Sequence, residues 1–105
     1  MGDTRREGGV GVLDKQREEL KEPPKYRVIL HNDDFTPMDF VVAILVQVFH
    51  HEQTRAVRIM LDVHTKGQGL AGIFTREIAE TKQAKALAYA KQHEHPFEVT
   101  IEPEA

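Results

Sequence analysis

The sequence predicts a small α+β domain: a three-stranded antiparallel sheet packed against three helices, in the order β-α-α-β-α-β, behind an N-terminal extension. Three observations predict it. Three short runs, "KYRVILH", "GLAGIFT" and "HPFEVTIEPE", read as strands. Three segments between them carry helix start and stop signals and apolar residues at helical spacing. No strand–helix–strand crossover is repeated in series, so a doubly wound parallel sheet is disfavoured.

Residues 1–24, "MGDTRREGGVGVLDKQREELKEPP", hold four of the seven glycines and only four aliphatic side chains, Val10, Val12, Leu13 and Leu20, against five basic and six acidic residues. That segment buries too little apolar surface to offset its ordering entropy, so a flexible extension closed by Pro23 and Pro24 is expected. The core domain is expected over 25–105. In its first strand Tyr26, Val28 and Leu30 share one face. "TPMD" then starts a helix: Thr36 can cap, Pro37 suits the first helical position and Asp39 has capping-box spacing. This helix is expected over Met38 to about Phe49 and is apolar almost all round, which places it deep in the core. The second helix is expected over about Gln53 to Thr65, stopped by Gly67, with Val57, Met60, Leu61 and His64 on an inward face. Thr75 can cap a third, about Arg76 to Gln92, with Ile78, Ala79, Ala86, Leu87 and Ala90 inward. The last strand sets Phe97, Val99 and Ile101 against Glu98, Thr100 and Glu102.

Composition bounds the function. With 105 residues, 40% apolar and 30% charged, one soluble globular domain is expected. A net charge of −3 gives no basic footprint for nucleic acid. The absence of cysteine removes disulfides, thiolate metal sites and cysteine nucleophiles, and suits a reducing compartment. The N-terminus has no apolar signal region, and the longest apolar run, Phe40 to Val46, is far short of the roughly 18 residues of a membrane span. A cytoplasmic protein with no membrane segment is the expectation.

The chemistry concentrates in "RVILHNDDFTPMDF", where a strand exits into Asn32, Asp33 and Asp34. Turn chemistry and the helix N-terminus account for Asp34 and Asp39, but a turn alone does not require Asn32 and Asp33 as a pair. His64 is open to three readings: a core-edge histidine satisfied by a carbonyl, a ligand contact or a metal ligand. If Asn32, Asp33 and His64 converge, they offer an ionised acceptor, an amide oxygen and an imidazole nitrogen. The chain has no serine and no cysteine, so nucleophilic hydrolysis of those types is excluded. The set suits a compact cation with several N–H donors, such as a free α-amino group. Met38, Val41, Met60 and Val63 would add an adaptable apolar socket beside it, fitting an N-terminal residue with a large hydrophobic side chain.

The strings "VILHNDDFTPMDFV", "IMLDVHTKG", "GIFTREIAETK" and "HEHPFEV" resemble ClpS, the adaptor family that hands N-degron proteins to a ClpA-type AAA+ unfoldase and its ClpP protease. The resemblance spans about 24–102. It implies that Asn32, Asp33 and His64 hold a substrate's α-amino group. It implies a hydrophobic pocket walled by Thr36, Met38, Val41, Met60, Val63 and Phe97, with Met38 guarding against β-branched first residues. Phe97 stands where members often carry Leu. Glu77 and Lys82 match the surface that meets the N-terminal domain of the unfoldase, and the extension resembles an arm that engages it. A monomer without cofactor, catalysing no reaction, is implied.

Two rivals come from other classes. His31, Asp33, Asp34, His64, His93 and His95 are metal-ligand types, but no HExxH spacing occurs, and the histidines at 50–51 and 93–95 sit at expected helix ends, where the dipole favours them. A ribosome-associated interaction domain suits the architecture equally, since fold does not fix function; such a domain has no need of the Asn32, Asp33 and His64 set.

Overall fold

The computed structural model describes residues 22–105; the expectation of a flexible arm falls almost wholly on residues outside that range. The elements are β1 (Lys25–His31), α1 (Met38–Gln47), α2 (Gln53–Lys66), β2 (Gln68–Thr75), α3 (Arg76–Gln92) and β3 (Glu98–Pro103). They form the predicted antiparallel sheet, ordered β2-β1-β3. β1 is central, and its sequence shows why. Val28 and Leu30 enter the core under the helices, while Ile29, on the opposite face, is only 2% exposed because its cross-strand neighbours Leu70 and Thr100 flank it. That outer face also carries exposed Ile73 opposite Arg27, and at its other end His31 Nε2 is hydrogen-bonded to Thr100 Oγ1 at 2.7 Å. The expected faces of the last strand hold: Phe97 and Val99 are buried and Ile101 packs at the edge of the core.

The helices differ from expectation in which stripe faces inward. α2 buries Ala56, Ile59 and Val63, whereas Leu61 and His64 are exposed and Val57 and Met60 are half-buried. Gly69 allows this. A Cβ there would stand 2.8 Å from Val63 Cγ2 and 3.2 Å from the Ile59 carbonyl oxygen, so only glycine lets α2 lie this close to β2. α3 rests on the sheet through Ala79, Ala86 and Ala90 and leaves Ile78 and Leu87 exposed, because small side chains permit the closer approach. α1 is not buried all round. Val41, Ile44 and Leu45 face the core, while Val42, Ala43 and Val46 are half-buried.

Helix ends also moved. Pro37, not Thr36, is the residue before α1, and no side chain caps it. Thr75 does precede α3, but its hydroxyl makes no capping bond. α1 stops at Gln47 rather than Phe49: Val48 and Phe49 turn into the core, and His50 takes a left-handed φ of 61°. The Lys82 ammonium donates to the Val48 carbonyl at 2.8 Å, meeting an acceptor this ending leaves open. α3 closes with Glu94 at φ 61° and the His95 N–H donating to the Ala90 carbonyl at 2.8 Å.

Candidate functional site

The loop from β1 to α1 is organised by Asp33. Its Oδ1 accepts the backbone N–H of Phe35 at 2.8 Å and of Thr36 at 2.7 Å, and its Oδ2 accepts the Thr36 hydroxyl at 2.7 Å. This is an aspartate turn in which the carboxylate stands in for a backbone acceptor. Partial burial pushes the Asp33 carboxyl upward. The Thr36 hydroxyl, the two N–H donors and nearby His95 outweigh that and hold it below the usual carboxylate range. The turn role expected of Asp34 therefore belongs to Asp33. Asp34 is exposed on the same rim and makes no side-chain hydrogen bond or ion pair among the described residues.

His64 comes from the last turn of α2. Gly67 ends that helix at φ 90°, the left-handed stop its sequence position predicts. The Gly67 carbonyl then accepts the Asn32 backbone N–H at 2.9 Å. Together these features bring His64 to the loop: Asn32, Asp33, Asp34, Thr36, Pro37, Met38 and His64 line one hollow of ≈ 280 Å³. Its rim holds two carboxylates, an amide and an imidazole, and Met38 presents a thioether that is 47% exposed. Such a rim favours a cation and accepts hydrogen bonds from it.

The other expected wall residues lie elsewhere. Val41, Val63 and Phe97 are 5%, 2% and 5% exposed and belong to the hydrophobic core. Phe97 also backs a separate hollow beside Phe35 and His95. It meets Phe40 edge-on at 6.0 Å, and the Phe40 ring meets His95 at 4.6 Å. Met60 lines a groove between α1 and α2 with Asp39, Val42 and Val46. Among the described residues no three His, Asp or Glu side chains gather as a metal site would need, and no helix is long and apolar enough to cross a membrane.

Residues 21–100 match the family model described as "ATP-dependent Clp protease adaptor protein ClpS". The chain belongs to the ClpS family. A ClpS adapter from Erwinia tasmaniensis is 52% identical over 89 residues, covering 85% of this chain and 84% of the relative. One from a Ruegeria species is 46% identical over 96 residues, covering 91% and 85%. Among solved structures, Agrobacterium tumefaciens ClpS2 bound to L-phenylalaninamide superimposes with a TM-score of 0.76 at 37% identity, over 79% of this chain and 100% of that one. The two positions that the ClpS resemblance tied to the unfoldase lie along α3, away from the hollow. Glu77 is exposed in the first turn, beside Pro23, Pro24 and Tyr26. Lys82 is half-buried, tied to Val48 and lying over the Phe74 ring at 5.4 Å. Asp34, which the sequence assigned to turn chemistry, instead lines the hollow. The available signal was the Asn-Asp-Asp run itself: one aspartate suffices for the turn, which leaves the other without a local task.

Proposed function

We propose that this ClpS-family adaptor captures the free α-amino group and large hydrophobic first side chain of N-degron proteins. It delivers them to a ClpA-type AAA+ unfoldase for degradation by ClpP and catalyses no reaction itself. One observation carries the reading: Asn32, Asp34 and His64 converge on one hollow behind Met38 and Thr36, with Asp33 fastening the loop that presents them. An α-ammonium carries three N–H donors, and this rim supplies an amide oxygen, a carboxylate and an imidazole nitrogen to accept them. Met38, unbranched and exposed, adjusts to Leu, Phe, Tyr or Trp and crowds side chains branched at Cβ. Val41, Val63 and Phe97 belong to the buried core, and on this reading the first side chain presses toward them once Met38 moves aside.

The magnitudes suit a reversible carrier. Burying a Leu or Phe side chain contributes about 1.5–3 kcal/mol and each charge-assisted hydrogen bond about 1.5–3 kcal/mol. Association costs about 4–15 kcal/mol, leaving an affinity of micromolar order. Docking on the N-terminal domain of the unfoldase uses the Glu77 and Lys82 side of α3, so that cargo and unfoldase engage different faces of a cytoplasmic monomer. Fluorescence anisotropy with a Phe-starting peptide tests the reading. Binding is expected, and acetylating the peptide's N-terminus, which removes its charge and two donors, is expected to abolish it. Equal binding of the acetylated peptide refutes the amine clamp.

A further inference from the structure

At Met38 the hollow holds a thioether open to water. The chain has three methionines and no cysteine, so no thiol of its own intercepts an oxidant before it reaches the thioethers. Met1 lies outside the described residues and Met60 is half-buried on the α1–α2 groove, whereas Met38 is 47% exposed. Little around Met38 is apolar. Pro37 is the one other apolar residue of the hollow's lining; Asn32, Asp33, Asp34, Thr36 and His64 make up the rest. A methionine so placed is reachable by peroxide, and its neighbours and water solvate the oxidised product.

We infer that Met38 is an oxidation-controlled gate: hydrogen peroxide converts its thioether to the sulfoxide, which weakens capture until the sulfoxide is reduced. This rests on the capture of a hydrophobic first residue proposed above. In the step, a sulfur lone pair attacks one peroxide oxygen. The S–O bond forms as the O–O bond breaks, sulfur gives two electrons to the peroxide, and the departing oxygen leaves as water with both peroxide protons. A dithiol reductase reverses the change: the sulfoxide oxygen leaves as water and the dithiol becomes a disulfide. Reduced Met38 is a flexible apolar wall for a Leu or Phe side chain. The sulfoxide oxygen seeks hydrogen bonds that an aliphatic or phenyl side chain cannot supply, so cargo must strip it of water without replacement. That oxygen adds one more acceptor to a rim already rich in them, so the amine contact is kept and the loss falls on the side chain. Cargo in turn shields the sulfur: a first side chain lying on Met38 covers it, so the empty adaptor is oxidised and the loaded one is spared.

The test treats the full chain with hydrogen peroxide, with and without phenylalaninamide. Peptide mass spectrometry maps the sulfoxide on each methionine, and anisotropy titrates a Phe-starting peptide. Met38 is expected to react before Met60, and phenylalaninamide to slow it. The oxidised chain is expected to bind the peptide about tenfold more weakly, with an unchanged circular dichroism melt. Methionine sulfoxide reductases, one for each epimer, with dithiothreitol are expected to restore the affinity. Met38→Leu sets its own affinity, which peroxide is expected to leave where it was, whereas Met60→Leu stays as sensitive to peroxide as the wild type. Sulfoxide at Met38 with undiminished peptide binding overturns the gate. So does a Met38 that reacts more slowly than Met60, a loss that the reductases fail to repair, or a loss that persists in Met38→Leu. A loss that vanishes in Met60→Leu also overturns it and assigns the effect to Met60. Failure of the untreated chain to bind the peptide removes the capture and the gate together, a result distinct from normal capture that peroxide leaves untouched.

Discussion

Replacing each of the two neighbouring aspartates separates presentation from contact. Asp33→Ala removes three hydrogen bonds of 2.7–2.8 Å, all internal to the β1–α1 loop. Water replaces part of what is lost at this half-exposed site, so about 2 kcal/mol is expected, or on the order of 10 °C in melting temperature for a domain of this size. Peptide affinity falls as well, because Asn32, Asp34 and Met38 are no longer held toward His64. Asp34→Ala removes no bond within the described chain. Its melting temperature is expected to match the wild type, while the loss of one ionised acceptor at an exposed rim weakens a Phe-starting peptide by about 1.4 kcal/mol, or about tenfold. Circular dichroism melts and anisotropy titrations on the same preparations read both quantities. An Asp33→Ala variant that melts like the wild type yet loses affinity, beside an Asp34→Ala variant that binds normally, would return the amine contact to Asp33 and refute the division of labour.

Three further outcomes follow from other positions. Gly69→Ala drives a methyl into Val63 and the Ile59 carbonyl, so about 1–3 kcal/mol of stability is lost; a chemical-denaturation midpoint at the wild-type value would contradict the close approach of α2. Lys82→Met keeps the stem over Phe74 but gives up the bond to the Val48 carbonyl, so about 1 kcal/mol of stability should go before any effect on unfoldase docking is counted; an unchanged melt would mean that this bond contributes nothing in solution. The Asp33 carboxyl is held below its ordinary range, so its stabilisation is complete above about pH 3.9 and is lost as pH falls through the lower folded value. Acid titration followed by circular dichroism should therefore show a loss that Asp33→Asn lacks.

The element order was legible because its signals are local. Gly67 does stop α2 in the left-handed conformation, and the pattern 97, 99, 101 does face the core. What the sequence obscured depends on partners distant in the chain. α2 carries two adjoining apolar stripes, and only Gly69, five residues past His64, decides which one meets the sheet. α1 ends early because His50, not a glycine, takes the left-handed turn. At the site, residue types suggested a grouping of Asn32, Asp33, Met38 and His64, which line one hollow; Thr36, on the same hollow, came from the ClpS resemblance alone. Which aspartate folds the loop was not readable, since both suit a turn equally well until the Phe35 and Thr36 N–H groups are given directions. Nor could spacing alone reveal that Phe97 and Val63 are almost fully buried in the core.

The bond from the Asn32 N–H to the Gly67 carbonyl joins two stretches of chain that meet nowhere in sequence, one leaving a strand and one leaving a helix. On the proposed function, its consequence is that the receptor for a positive end group is assembled when the domain folds. An incoming chain has little left to organise on the protein's side, so its own loss of freedom dominates the entropy of capture. Release then leaves the loop frame as it was, with only the Met38 side chain to return before the next passenger.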